Sequence, residues 1–422
     1  MTFPIHERGH GDYEAALTAL SRRGDADLTR VEPAVRAILD AVRDRGDAAI
    51  RELTERFEGR TQAHVVVPED EWRAVAKEAP AEVRDMLAAA GDRVRRYHEH
   101  QKDAGFAYEE EGVHLGQRVR PVRAAGVYAP GGKARYPSSV LMSAIPAAVA
   151  GVPRIVLATP RPTPEVLAAA EIAGVTEVVD AGGAQAIGAL AYGTETVRRV
   201  DTIVGPGNIF VACAKRLVYG LVDIEGIAGP SEILVVADDD ADPVRVAADL
   251  LSQAEHDEDA YALLVTLSRA QAERVTAEVE RQLETLPRKD VAGASIRDHA
   301  VAFVAGDREE AARVADLLAA EHLSLQVADP EGLLEHIGAA GAAFLGGHTP
   351  EAAGDYAAGP SHVLPTGGAA RFTSPLGVYD FLVRTSLIRY SPEAIRAQAD
   401  LLEGLARLEG LEAHARAVNV RR

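Results

Sequence analysis

The segment DLLSQAEHD sets Gln253 and His256 three residues apart near a helix end. That spacing puts an amide oxygen and an imidazole on one face, where both could share a cation. In AAEHLSLQV, Glu321 and His322 stand side by side between a helix-like and a strand-like run. A carboxylate and an imidazole at such a junction suit general acid–base work facing a cleft. The Gly/Pro/Ala-rich loop AGDYAAGPSHVLPTGG holds Asp355 and His362, and long loops of this composition are often functional. RLEGLEAHARAV adds Glu409 and His414 near the chain end. Taken singly, each segment also reads as a solvated helix end or surface turn, because short motifs are weak alone. His6, His10, His98 and His100 lie in plainly polar stretches and read as solvated.

Two other segments could face a phosphate. AGGAQAIGAL and VGPGNIFVACAKR each place glycines after a strand and before a helix. Such turns expose backbone N–H groups and the positive end of a helix dipole. The strict dinucleotide fingerprint G-x-G-x-x-G is absent, so a cofactor site cannot be argued from it, and a tight βα turn without ligand looks the same.

The elements that must position these residues are those of a large chain. At 422 residues it exceeds what one core usually supports, so two or more domains are expected. The 45 Lys+Arg against 64 Asp+Glu give a formal charge of -19, which disfavours nucleic acid and anionic membrane surfaces as partners. The single cysteine, Cys213, excludes an intramolecular disulfide and any Cys-rich zinc module. A metal would need His, carboxylate or amide ligands, and a cytoplasmic setting is expected. Met1 to Arg22 shows no apolar core of signal-peptide length, and the most apolar stretch, Val140 to Val152, is too short to span a bilayer.

From about Val31 to Tyr97 apolar residues such as Val35, Ile38, Leu39 and Val42 recur at helical spacing, predicting a helical N-terminal layer. From Val122 onward, RIVLATP, TEVVDAGG and DTIVGPGN read as βα units. A second set follows in EILVVADDD, a helix from Pro243 to about Ala254, YALLVTLS, AVAFVAGD, a helix Glu309 to Ala320, and LSLQVADP. Alternating units imply mostly parallel sheets that bind ligands beyond the carboxyl ends of their strands. The end of the chain reads as a helical appendage, with Ser391 as N-cap and Pro392 at N1.

Taken together, VYAPGGKARYPSSVLM, GGAQAIGALAYGTE, VGPGNIFVACAKR, AGPSEILVVAD, LLSQAEHD, EHLSLQV, FLGGHTPEAAGDYAAGPSHVLPT and LEAHARAV resemble, in order and spacing, the histidinol dehydrogenase family. The resemblance covers nearly the whole chain. It implies an α/β fold of two Rossmann-like domains lacking the standard GxGxxG, with a helical N-terminal region and a small helical C-terminal tail. The expected division is an N-terminal segment 1–24, a larger domain from 25–127 and 233–376, an NAD-contacting domain 128–232, and the tail 377–422.

The resemblance further implies an NAD-dependent oxidation of L-histidinol to L-histidine, the last steps of histidine biosynthesis, with one zinc ion per subunit. Gln253, His256, Asp355 and His414 would hold the zinc, which would anchor the substrate's imidazole and amino nitrogens. His322 would be the base for both hydride transfers, and Glu321 would activate the water that hydrates the aldehyde. Ser231, His362 and Glu409 would contact substrate; Tyr128, Gln185 and Asn208 would contact NAD. The family is homodimeric with a shared site, so His414 and Glu409 would complete the partner subunit's site. The chain departs from the family pattern at Ala320, where proline is usual before the Glu-His pair, and at Gly226 and Ile227. Two alternatives stand beside this reading. One is a relative oxidising another small alcohol such as a sulfonated diol; the other is a zinc hydrolase using Glu321 as base.

Overall fold

The computed structural model describes residues 3–24, 28–131 and 136–422. Residues 132–135, which belong to the segment VYAPGGKARYPSSVLM, lie outside the described residues. Among the described residues the frame is two six-stranded sheets and one of three strands.

The first sheet runs in the order Ile5–Glu7, Val301–Val304, Tyr261–Thr266, Glu232–Ala237, His322–Gln326, Ala342–Leu345, with every pairing parallel. Its central strand Glu232–Ala237 is buried at all six positions. Helices therefore cover both faces: Leu250, Val275 and Val279 pack on one, Ala311, Val314 and Leu318 on the other. Full burial on both faces is why these strands are continuous apolar runs and not alternating ones.

In the second sheet the order is Val66–Val67, Glu177–Val179, Ile155–Ala158, Ala125–Tyr128, Thr202–Val204, Asp223–Ile224. All pairings are parallel except that of Val66–Val67 with Glu177–Val179. The chain moves outward from Ala125–Tyr128 on one side and then returns to Thr202–Val204 on the other. A crevice opens where the order reverses, at the carboxyl ends of those two strands.

Helix Glu32–Glu58 packs on this second sheet: Val35, Leu39, Val42 and Ile50 join one core with Ile187, Leu190 and Ile203. The sequence reading had grouped residues 25–127 with 233–376. The apolar period of a helix fixes which face is buried and leaves open which sheet receives it, so the grouping turns on long-range contacts. His98, read as solvated, is fully buried, with Nδ1 donating to the Val94 carbonyl at 2.8 Å.

The third sheet is antiparallel, in the order Leu382–Tyr390, Val113–Pro121, Phe106–Glu110. The segment read as a purely helical tail thus begins with a nine-residue strand. Two helices follow, Pro392–Leu408 and Glu412–Asn419, the first capped by Ser391 Oγ accepting from the Ala394 N–H with Pro392 at N1. No helix among the described residues is long and apolar enough to cross a membrane.

Candidate active site

Local capping aims the first pair of candidate residues. Asp242 accepts from the Val244 N–H at 2.9 Å and Pro243 fills N1, which starts helix Pro243–Ala254 and delivers Gln253 and His256 at its far end. Helix Arg308–Leu318 ends at Ala319, a non-glycine residue in the left-handed region at φ 43°. That conformation costs on the order of 1 kcal/mol and turns the chain directly into strand His322–Gln326. Ala320, at the family's usual proline position, is held by its carbonyl accepting from the Gly341 N–H at 2.9 Å. Asp355 comes from the short helix Glu351–Tyr356.

These elements converge on one cluster. His256 Nε2 lies 3.7 Å from Asp355 Oδ2, His322 Nε2 3.8 Å from Asp355 Oδ1, and His362 Nδ1 3.9 Å from the same Oδ1. Gln253, Glu321, His322 and Asp355 are buried. Ser231, Glu321 and His362 line a cavity of about 150 Å³. Among the described residues Gln253 Oε1, His322 Nε2 and His362 Nε2 are buried polar atoms without a hydrogen-bond partner. Isolated buried polar atoms are costly, so three of them on residues of this region mark a place suited to a ligand.

The tautomer of His322 follows from its neighbour. A carbonyl can only accept, so Nδ1, 3.0 Å from the Glu232 carbonyl oxygen, carries the proton and donates it there. Nε2, beside the Glu351 and Asp355 carboxylates, is then the nitrogen free to gain and lose a proton, as that of a general base does. The strand that supplies this carbonyl is itself tied down. The buried Glu232 carboxylate accepts from the Glu321 N–H at 3.1 Å, from the Gly367 N–H at 3.0 Å and from Arg23, while Glu321 Oε2 accepts from the Glu232 N–H at 2.9 Å.

The electrostatics are those of opposite charges confined away from water. Burial pushes the Glu321 carboxyl well above the carboxylate range, against the pull of His322. Burial opposes charge on His322, but Glu321, Asp355 and Glu351 outweigh it and favour the imidazolium. Asp355 is pushed up by burial yet held low overall by His322, His362 and His256. His256 and His362 are lowered chiefly by burial.

Glu351 escaped the sequence reading. Its ligand atom and those of His256 and Asp355 lie within 4.8 Å of one another. Its Oε1 is 3.6 Å from His322 Nε2, and its Oε2 accepts from Ser252 Oγ at 2.8 Å. The signal was available in EAAGD, where Glu351 and Asp355 are spaced i, i+4 and so share a helix face. Glu232 and Arg23 were also missed; they act through other residues and carry no motif.

The structure does not bring Glu409 and His414 to this cluster. Both are exposed, and the tail helices make their main contacts with one another and with strand Leu382–Tyr390.

Tyr128, Gln185 and Asn208 come together around a second, larger cavity of about 1040 Å³ at the crevice of the second sheet. Tyr128 Oη accepts from the Gly183 N–H at 3.0 Å, and Asn208 Oδ1 caps helix Ile209–Val218 by accepting from Phe210 N and Val211 N. The loop after strand Thr202–Val204 joins the two cavities: Pro206 and Gly207 line the smaller, Asn208 the larger. A buried ion pair holds that loop, with Lys215 Nζ 2.5 Å from Glu225 Oε2 and donating to the Gly205 carbonyl, while Glu225 Oε1 accepts from the Gly205 N–H. Gly205 itself sits at φ +115°, and a Cβ there would lie 2.1 Å from the Tyr128 carbonyl oxygen, so only glycine fits.

The donor set suits zinc: the His256 imidazole and the Glu351 and Asp355 carboxylates lie close together, and Gln253, three residues before His256, carries a buried, unpartnered amide oxygen. The adjoining cavity suits a dinucleotide. Comparison with known proteins agrees. The family model described as histidinol dehydrogenase matches residues 21–422. A histidinol dehydrogenase of Aquifex aeolicus is 50% identical over 408 residues, 96% of each chain. One from Syntrophotalea carbinolica is 51% identical over 417 residues, 97% of each chain. The crystal structure of histidinol dehydrogenase from Elizabethkingia anophelis superposes with a TM-score of 0.93 at 34% identity, covering 99% of this chain and 98% of that one. With nearly the whole length matched, the chain belongs to the histidinol dehydrogenase family of NAD-dependent, zinc-binding oxidoreductases.

Proposed function

We propose that this chain oxidises L-histidinol through L-histidinaldehyde to L-histidine, the closing steps of histidine biosynthesis, at the site around His322. The observation that carries the reading is the His322 tautomer: Nδ1–H is committed to the Glu232 carbonyl, and the unpartnered Nε2 faces the buried cluster beside the dinucleotide crevice. His322 takes the proton of the alcohol in the first oxidation and a proton of the aldehyde hydrate in the second. Glu321, whose burial favours its protonated form, exchanges a proton with the water that adds to the aldehyde. Each oxidation removes a hydride from the same carbon and a proton from a hydroxyl oxygen on it, and NAD supplies the hydride acceptor in both.

Gln253, His256 and Asp355, with His414, would hold zinc, and Glu351 is a further carboxylate within reach of it. The zinc would supply a Lewis-acidic anchor for the substrate's imidazole and amino nitrogens. Ser231 and His362 line the cavity next to Glu321 and would contact substrate together with Glu409. Tyr128, Gln185 and Asn208 would contact NAD in the larger cavity. Keeping the aldehyde enclosed between two oxidations protects it from water and amines outside.

The reading includes a homodimer in which His414 and Glu409 enter the partner's site. The exposed apolar residues of the tail, Leu401, Leu405, Leu408, Leu411 and Ile388, support it, because a face of that kind is usually covered by another surface. On the packing of helix Glu32–Glu58, we group the N-terminal helices with the NAD-contacting sheet and keep the tail as a separate element. A cytoplasmic setting suits a chain whose one cysteine, Cys213, is free and buried.

The test is NADH formation from purified, zinc-loaded protein given L-histidinol. Two NADH per histidinol consumed, lost on chelation and regained with zinc, is the expected result. No NADH from folded, metal-loaded protein would sink the reading.

A further inference from the structure

One charged side chain lining the larger cavity has no part in the chemistry. Glu58 is the last residue of helix Glu32–Glu58, with Gly59 closing the helix in the left-handed conformation at φ 64°. Its Oε1 is buried and, among the described residues, has no hydrogen-bond partner, while its Oε2 accepts from Arg60 Nε at 2.8 Å. Leaving a carboxylate oxygen both buried and unpaired costs more than leaving a neutral acceptor so. The ligand of this cavity is the natural source of the missing donor.

The position of Glu58 says which part of a dinucleotide would supply that donor. The nicotinamide must approach the catalytic cluster, and so lies at the loop Gly205–Asn208 after strand Thr202–Val204. Arg60 binds Asp180 through two bonds of 2.6 Å, and the Arg161 N–H donates to Asp180 at 2.9 Å. Asp180 and Arg161 follow strands Glu177–Val179 and Ile155–Ala158, on the far side of Ala125–Tyr128 from that loop. Two to three strand spacings of about 4.8 Å separate the ends, which is the reach of an extended dinucleotide. The adenosine ribose, with two hydroxyl donors, falls nearest Glu58.

The local charge opposes a phosphate there. Arg60 and Arg161 are balanced by Glu58 and Asp180, with Arg161 Nε 3.6 Å from Glu58 Oε2 and its guanidinium also donating to the Glu58 carbonyl. The carboxyl end of the helix adds its partial negative charge. Elsewhere on the rim, Arg45 donates to Glu52 at 2.5 Å and Arg56 lies 5.3 Å from the Phe57 ring centroid. A ribose 2′-hydroxyl would find an acceptor at Glu58; a 2′-phosphate there would meet that carboxylate beside two guanidiniums already engaged by Glu58 and Asp180. We propose that Glu58 is the specificity residue that makes this cavity take NAD and refuse NADP, by accepting from the adenosine ribose hydroxyls. The inference rests on placing NAD in this cavity.

The test is direct binding of NAD+ and of NADP+, by titration calorimetry on the zinc-loaded protein, for the native chain, Glu58→Gln and Glu58→Ala. The native chain is expected to bind NAD+ at least 100-fold more tightly than NADP+. Glu58→Gln, which keeps shape and loses charge, should cut that ratio about tenfold, and Glu58→Ala further, NADP+ binding tightening in both. A merely structural role would weaken both nucleotides together and leave the ratio where it was. A ratio within twofold of the native value in both variants overturns the proposal. Failure of the cofactor placement is distinguishable: Gln185→Ala would then leave NAD+ affinity unchanged.

Discussion

Helix Pro243–Ala254 and the tail helix Glu412–Asn419 each carry a proposed zinc ligand, on opposite terms. Gln253 is 1% exposed, and its buried amide oxygen has no hydrogen-bond partner among the described residues. His414 stands on an exposed helix that touches little beyond its neighbours. The tail is firmly rooted all the same: Val378 and Phe381 are fully buried in the core of the second sheet. A rooted tail with exposed apolar residues fits the proposed homodimer, in which a second copy would cover it. On the proposed dimer, the α/β part would hold most of a site and the tail would complete the partner's.

The largest effect should come from inside the α/β part. His322→Asn removes the base while leaving a polar group of similar size, and both oxidations are expected to fall by about 10³-fold, with zinc content unchanged. His414→Ala should instead lower zinc retention, read by metal analysis, by about 10- to 100-fold in affinity, and activity with it.

Mixing the two inactive variants separates the regions. If the tail serves the partner, each hybrid dimer carries one intact site, and random exchange restores about a quarter of native turnover. If the tail serves its own chain, every site keeps one lesion and nothing is restored.

A smaller effect is expected from Glu321→Gln, which keeps an acceptor for the Glu232 N–H and loses the proton exchange. Oxidation of supplied aldehyde should drop several-fold more than oxidation of the alcohol. Equal losses would mean that Glu321 only holds the strand.

A last effect, on stability, concerns the root of the tail. Asp380 accepts from the Gly377 N–H at 2.7 Å. Burial, with Glu225 and Asp223 nearby, pushes its carboxyl up to about 7. Between its unfolded value near 4 and about 7 the folded chain keeps a proton that the unfolded chain has released. Stability from this group is therefore lost as pH rises through that window and is level above it. Asp380→Asn keeps an acceptor and removes the charge, so it should gain up to about 4 kcal/mol above pH 7 and nothing at pH 4, read as the difference in thermal midpoint. An equal gain at both pH values would contradict the assignment.

Much of the site was legible in residue types and short spacings. Gln253 and His256 share a helix end because three residues make most of a turn, and Asp242, Ser391 and their following prolines start helices by local hydrogen bonding. The βα order of Ile155–Ala158, Glu177–Val179 and Thr202–Val204 was legible because buried parallel strands are apolar throughout. Glu58, Glu232 and Arg23 were not, since a single carboxylate or guanidinium has no period and its meaning depends on a partner far along the chain. Arg23 and Glu232, for example, are 209 residues apart.

The sequence by itself determined the chemical inventory, the element types and, through eight linked segments, the family. Only the tertiary structure decided that helix Glu32–Glu58 joins the second sheet, that Glu351 faces His322 and Asp355, and that Glu409 and His414 stand apart from the cluster. Local propensity and periodicity act over a turn or a strand, whereas the choice of packing partner depends on closing loops of a hundred residues or more.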